Sequence, residues 1–252
     1  MIPKVIHYCW FGRNPLPDSA VKCINSWRKF MPDYEIKEWN EDNFDVNAIP
    51  YTAEAYQMKK YAFVSDYARF WILYRYGGVY FDTDVELIKP IDDIVEKGPF
   101  MGIEETCKII PVNLVGYPLV NPGLGIAVEQ GHPFYKQLID YYNAIHFVDQ
   151  NGYFNPMDTV VMHTTNLMVE NGLQKTDQLQ QVCGIWIYPD DFFNPLDDLT
   201  GRLKKTANTR SIHWYARTWQ DRHPFKQWLS CMSHRIFGLQ LYKLKRKLRG
   251  ID

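Results

Sequence analysis

An α/β fold built on a largely parallel central sheet is the architecture this sequence predicts. Three observations lead there. Over the first 81 residues, short runs rich in β-branched and aromatic residues alternate with helical patterns. A Gly77-Gly78 pair separates the longest helical pattern from the apolar run that follows it. And 46% of the 252 residues are hydrophobic, enough for one large core without disulfide staples.

Lys4 to Trp10 reads as the first strand, followed by a loop from Gly12 to Pro17. Asp18 or Ser19 caps a helix in which Ala20, Cys23, Ile24, Trp27 and Phe30 keep helical spacing, with Pro32 just beyond its end. Tyr34 to Trp39 is a second strand, and Asn40 to Pro50 is irregular. Ala53 to Tyr76 carries a helical pattern long enough for two helices or one bent helix. Val79 to Phe81 then forms a short buried strand that stops at Asp82-Thr83-Asp84. Ligands of such sheets bind outside the carboxyl ends of strands, where these aspartates fall. Further on, Phe100 to Ile103, Trp186 to Tyr188 and Ser211 to Trp214 read as strands, and His132 to Ala144 and Asp158 to Glu170 as helices. The uncharged stretch Ile109 to Val128 is interrupted by Pro111, Pro118 and Asn121-Pro122-Gly123, so it reads as a buried or substrate-lining loop and not as a membrane span.

Five cysteines, an odd number without a C-x-x-C, argue against a disulfide framework and predict free thiols in a reducing cytoplasm. The opening residues lack the shape of a signal peptide. Net charge is −1, but residues 235–249 hold six basic residues and no acid, leaving 22 basic against 29 acidic residues elsewhere. That distribution excludes a general nucleic-acid binder. Phe237, Leu241, Leu244 and Leu248 form one stripe, so residues 234–252 are expected as a basic amphipathic helix appended to a single domain, 1–233. Such a helix would pack on the body or dock on an anionic membrane surface.

Asp82 and Asp84, at i and i+2 on a strand end, point the same way and can flank one hard cation. Mg²⁺ or Mn²⁺ held there would neutralise a leaving diphosphate. The plainer alternative is a solvated loop with two acids. An EF-hand beginning at Asp82 fails, because Leu87 and Asp93 stand where it needs Gly and Glu. An aspartyl-phosphate hydrolase remains an alternative, although Glu86 stands where that class carries Thr or Val. On the preceding helix Asp66 and Arg69 share a face among apolar residues. They form either a structural ion pair or a pair of groups turned towards a polar ligand.

The segment V-S-D-Y-A-R-F-W-I-L-Y-R-Y-G-G-V-Y-F-D-T-D-V-E, residues 64–86, resembles the D-x-D sugar-binding region of glycosyltransferase family 32 and its relatives, which include the large clostridial glucosylating toxins. The opening I-P-K-V-I-H-Y-C-W-F-G and S-W-R-K-F-M-P-D-Y-E-I-K-E-W-N, residues 26–40, resemble the start of the same family. The resemblance is close to about residue 90 and thins afterwards. It implies a GT-A-type nucleotide-sugar-binding fold, a nucleotide-sugar donor (UDP-sugar, with GDP-mannose as the alternative), a divalent cation, and transfer with retention of configuration to a glycan or lipid-linked glycan in surface polysaccharide synthesis. By the same resemblance Asp82 and Asp84, with Thr83 between them, would meet metal and diphosphate. Asp66 and Arg69 would bind the donor sugar, Trp10 the base, and His213, beside Trp214, would complete the metal shell. Asp158 corresponds either to a sugar-contacting acid or to a helix N-cap. Trp10 equally suits a core position. Residues 163–166, His-Thr-Thr-Asn, replace the family's T-G-P, which leaves acceptor recognition open. A metal-dependent carbohydrate-binding protein is the non-enzymatic alternative, and the expected location is the cytoplasmic face of the cell membrane.

Overall fold

The computed structural model describes residues 1–104, 111–155, 157–216 and 232. In chain order the elements begin β1 (Val5–Cys9), α1 (Asp18–Phe30), β2 (Glu35–Trp39), α2 (Pro50–Gln57), α3 (Tyr61–Tyr76), β3 (Gly78–Tyr80), β4 (Val85–Leu87), α4 (Asp92–Lys97) and β5 (Phe100–Glu104). They continue with β6 (Leu119–Asn121), β7 (Ile126–Val128), α5 (Pro133–Asn143), α6 (Val160–Glu170), β8 (Gln180–Val182), β9 (Ile185–Tyr188), α7 (Asp190–Phe193), β10 (Leu196–Asp197), β11 (Arg202–Leu203) and β12 (Ser211–His213).

Among the described residues the central sheet has eight strands in the order β2-β1-β3-β7-β5-β9-β8, with β6 paired to β5. β1, β2, β3, β5 and β9 run one way, while β6, β7 and β8 run against them. The sheet is therefore mostly parallel, with β7 inserted antiparallel at its centre.

Period-two alternation divides the core into two layers. Ile6, Tyr8, Val79, Phe81, Phe100 and Ala127 face α1, α4 and α7, whose Cys23, Ile24, Trp27, Ile94, Val95 and Phe193 join them. Cys9, Tyr80, Met101, Ile126 and Val128 face the other way, towards Phe63, Phe70, Leu73, Leu138, Tyr142 and Val161 from α3, α5 and α6. Helices thus cover both faces, as parallel strands require.

The helical pattern of residues 53–76 resolves into α2 and α3, parted at Lys59, whose φ of 58° cannot continue a helix. Gly77 ends α3 with φ 64°, its N–H donating to the Leu73 carbonyl at 2.8 Å. Its own carbonyl takes a hydrogen bond from His7 Nε2 at 3.0 Å, while His7 Nδ1 accepts from Trp39 Nε1 at 3.1 Å. Burial lowers the His7 pKa to about 4, so this imidazole is a neutral strut between β1, β2 and the end of α3.

Two expectations are corrected. The uncharged stretch is not a loop throughout, because β6 and β7 lie within it as fully buried strands. Three residues each, separated by Pro and Gly, they are too short to show a period. The N-cap of α1 is Pro17, and Asp18 is already in the first turn. Cys9, Cys23 and Cys183 are free thiols, while Cys107 and Cys231 lie outside the described residues, as does the basic segment 235–249. Among the described residues no helix is long and apolar enough to cross a membrane.

Candidate functional site

The D-x-D segment follows β3. The Phe81 N–H donates to the His7 carbonyl, and the Val85 N–H returns to the Asp82 carbonyl at 3.0 Å. Residues 82–85 are therefore a turn. The two carboxylates converge through that turn, not through the strand alternation the sequence suggests. Thr83 sits half-buried between them. Beneath the turn, α1 fixes β4: Trp27 Nε1 donates to the Val85 carbonyl at 2.8 Å, and the Leu87 N–H donates to Ser26 Oγ at 2.9 Å.

β12 pairs antiparallel with β4, placing His213 opposite Val85. His213 Nε2 lies 3.1 Å from Asp84 Oδ1, and the Ala216 N–H donates to Asp84 Oδ2 at 2.8 Å. One ligand atom each from Asp82, Asp84 and His213 lies within 4.8 Å of the others. Burial disfavours the Asp84 carboxylate, but His213 and the Ala216 N–H outweigh it and hold the carboxyl below its ordinary value. Burial likewise disfavours the His213 imidazolium, and Asp84 outweighs it, raising that pKa. His213 Nδ1 is buried without a hydrogen-bond partner.

On the other side, Arg69 is 3% exposed and spans two carboxylates. Nη2 is 2.8 Å from Asp66 Oδ1 and 3.3 Å from Asp82 Oδ1, and Nε donates to the Ser65 carbonyl at 3.1 Å. The intrahelical pair read from the sequence exists, and its guanidinium also reaches the D-x-D turn. Burial pushes the Asp66 carboxyl up to about 7 against the pull of Arg69, and it raises Asp82 as well. Asp82 Oδ1 also accepts from the Tyr80 hydroxyl at 3.1 Å.

Sequence reasoning missed Tyr80 and the Asn121-Pro122-Gly123 turn. Asn121 Oδ1 accepts from the Gly123 N–H at 2.7 Å, and its Nδ2 donates to Glu104 at 2.8 Å. Gly123 consequently packs so tightly on Asp82 that any Cβ would strike the carboxylate. The N-P-G run in an uncharged segment was the available signal.

Five of the expected residues are thus brought together: Asp66, Arg69, Asp82, Asp84 and His213. Trp10 stands at the end of β1, partly buried against the α1 layer, its indole N–H donating to the Asn14 carbonyl at 2.6 Å. Asp158 pairs instead with His163 Nε2, at 3.4 Å. Nor is it the N-cap of α6, because that position is Thr159 and the helix starts one residue further on. His163, Thr164 and Thr165, standing where the family has T-G-P, are buried within α6. Trp214 is 42% exposed and pinned by its indole N–H to Glu86 at 2.8 Å.

In this geometry a strand leads into two carboxylates that lie beside a buried arginine and face a histidine. Residues 17–101 match the model of the glycosyltransferase sugar-binding region containing DXD motif, and over that region the chain resembles the glycosyltransferases of family 32 and their relatives. Inositol phosphoceramide mannosyltransferase 1 of Schizosaccharomyces pombe is 29% identical over 175 residues, 64% of this chain and 48% of that protein. Uncharacterized glycosyltransferase L373 of Acanthamoeba polyphaga mimivirus is 33% identical over 106 residues, 40% of this chain and 42% of its own length. The chain therefore spans about half the length of the first of these relatives. Among solved structures, a glycosyltransferase involved in the glycosylation of the major capsid of PBCV-1 aligns over 86% of this chain and 95% of that chain, at 11% identity and a TM-score of 0.48.

Proposed function

We propose that the chain is a retaining glycosyltransferase, moving a sugar from a nucleotide-sugar to a glycan or lipid-linked glycan with a divalent cation at Asp82, Asp84 and His213. The observation that carries this reading is the convergence of those three side chains within 4.8 Å beside the Arg69 guanidinium. The donor set fits such a cation. Two carboxylates and an imidazole suit Mn²⁺ better than Mg²⁺, and the buried His213 Nδ1, without a hydrogen-bond partner, is an atom that a ligand would satisfy. When bound, the cation supplies charge neutralisation to the departing diphosphate.

The protein's own groups supply the rest. Arg69, held between Asp66 and Asp82, presents fixed positive charge at the turn where leaving-group charge develops. Asp66 takes the sugar hydroxyls, and Tyr80 and Gly123 hold Asp82 in place. Trp10 stacks on the nucleotide base. UDP-sugar is the first donor; GDP-mannose is the second, supported by two matched relatives that are named mannosyltransferases.

The first test is nucleotide release from a panel of nucleotide-sugars, with and without Mn²⁺. Release that requires both metal and one donor supports transfer. Phosphate release from simple esters would replace it with the hydrolase, and glycan binding without donor consumption with the binding protein. Within that assay, His213→Ala is expected to raise the Mn²⁺ concentration for half-maximal activity about tenfold or more, the range for losing a group that supports a metal site. An unchanged value removes His213 from the metal shell.

We further propose a site of action on the cytoplasmic face of the membrane, reached through the basic segment 235–249. Six basic residues near an anionic surface contribute up to about 6 kcal/mol. The full chain should co-sediment with phosphatidylserine vesicles at low salt and be released as salt rises. Binding that ignores salt, or survives Lys243→Glu with Lys245→Glu and Lys247→Glu, rules out this segment as the anchor.

A further inference from the structure

A second polar centre lies at the start of α6. His163 is 2% exposed. The Tyr141 hydroxyl, on α5, is 2.7 Å from His163 Nδ1. Nε2, on the other side of the ring, faces Asp158 Oδ1 at 3.4 Å and has no hydrogen-bond partner. With the Tyr141 O–H donating to Nδ1, the ring proton resides on Nε2 and points at the carboxylate. A half-buried tyrosine thus sets a buried histidine that faces an acid itself 53% exposed.

What Asp158 opens onto is a cleft of about 280 Å³, lined also by His146, Phe147, Tyr153, Phe154 and Asn155. Its wall is built to stay in shape. Glu54 accepts from His146 Nδ1 at 2.6 Å and from the Phe147 N–H at 2.8 Å. Asp149 Oδ1 accepts from the N–H groups of Asn151 and Tyr153, at 2.8 and 2.9 Å. Phe147 and Phe154 stack at 5.3 Å with an interplanar angle of 12°, leaving Tyr153, 74% exposed, as the free aromatic ring at the rim.

Size and chemistry choose the occupant. The volume is at the low end of ligand pockets, about 300–1,000 Å³, and suits a single sugar ring. A carboxylate beside an amide meets hydroxyl groups, and an exposed phenol ring meets the apolar face of a pyranose. Asp149 and Asp158 stand in the lining against one nearby ammonium, Lys60 Nζ at 5.2 Å from the Phe154 ring, and His146 is engaged by Glu54, so the balance of charge disfavours an anionic sugar.

We propose that this cleft is the acceptor subsite, taking one uncharged, hydroxyl-rich sugar ring, with Asp158 accepting from its hydroxyls. His163 and Tyr141 are positioning residues that hold the Asp158 carboxylate. The assignment of the ring to an acceptor rests on the transfer reading above, whereas the binding itself does not.

The experiment is saturation-transfer NMR of the full chain with methyl gluco-, galacto- and mannopyranoside and with a methyl uronate, without donor or metal. One neutral methyl hexoside should bind at millimolar concentration and the uronate should not. Asp158→Asn and Tyr153→Ala should each weaken that binding about tenfold, the loss of one charge-assisted hydrogen bond or one ring contact. Tyr141→Phe, which keeps the ring and the fold, should raise the acceptor KM several-fold with kcat within about twofold, which a merely structural role would not do. The proposal is overturned if no neutral hexoside binds at ~100 mM, if binding is equal in wild type, Asp158→Asn and Tyr153→Ala, or if the uronate binds as well. Hexoside binding in a chain that releases no nucleotide from any donor would overturn the transfer reading alone.

Discussion

Asp84→Asn is expected to give a folded protein whose donor turnover falls by about a hundred- to a thousandfold, the loss seen when one electrostatic stabiliser is removed from a catalytic site. The change is nearly isosteric, so the hydrogen bond from Ala216 has an acceptor to keep, while the negative charge facing His213 is gone. Asp82→Asn should behave alike in activity and differ in stability, because it also removes a carboxylate from the Arg69 guanidinium. Steady-state nucleotide release across a Mn²⁺ titration measures the effect, with circular dichroism as the check on folding. If both variants keep near-wild-type rates at saturating Mn²⁺, the metal assignment is wrong.

The largest expected effect on stability follows Arg69→Met. The guanidinium is the cation between two carboxylates, and its removal leaves Asp66 enclosed with a charge that nothing balances. Breaking a buried pair from one side costs about 3–5 kcal/mol, which for a chain of this size corresponds to a Tm lower by about 10 °C. The loss has a definite pH dependence. Asp66 already titrates above its ordinary value, near 7, so its charged form is disfavoured in the folded state. A carboxyl raised on folding contributes stability below its unfolded pKa and loses that contribution as pH rises through its folded one. Without Arg69 the folded value climbs further. The deficit relative to wild type should therefore be largest above pH 7 and shrink towards pH 5. Urea unfolding at pH 5 and pH 8 tests this, and an equal deficit at both would place the cost in lost packing and not in charge.

The parts of the fold that were legible in the sequence are those with a long local pattern. α1, α3, β1 and β2 carry enough residues for a period to appear, while β3, only three residues long, was marked by the Gly77-Gly78 pair before it and the D-x-D after it; Gly77 is a boundary because the backbone there adopts φ 64°. β4, β6 and β7, three residues each, left no such trace, and they are the pieces that complete the sheet and the site. Asp66, Arg69, Asp82 and Asp84 were singled out by residue type and spacing, which left several readings open, and the resemblance to the D-x-D region chose among them. That Gly123 packs on Asp82 could not be read in the same way, since it depends on β7 entering the sheet against β3 and bringing residues 121–125 across the turn, whereas the Tyr80 hydroxyl reaches Asp82 only two residues on and was overlooked. Asp158 misled for the opposite reason. An acid just before a helix reads as a cap, and only the fold places it beside His163.

The short ladder between β4 and β12 sets the order in which this site can come into being. It joins the residues after the D-x-D turn to partners more than 120 positions later, Leu87 opposite Ser211, and it stands outside the eight-stranded sheet. Closing so long a loop for three residue pairs is a late event, because the entropy of closure is met before the contacts repay it. As the chain leaves the ribosome, the turn with its two acids is made early and stays an open-sided pair of carboxylates until nearly all the described residues have been synthesised. In the finished molecule all three residues of β12 are buried, so His213 stays at the turn as long as the packing around that ladder holds. A cation bound there as proposed would add its binding free energy to that packing, so a chelator should lower the stability of the metal-loaded protein.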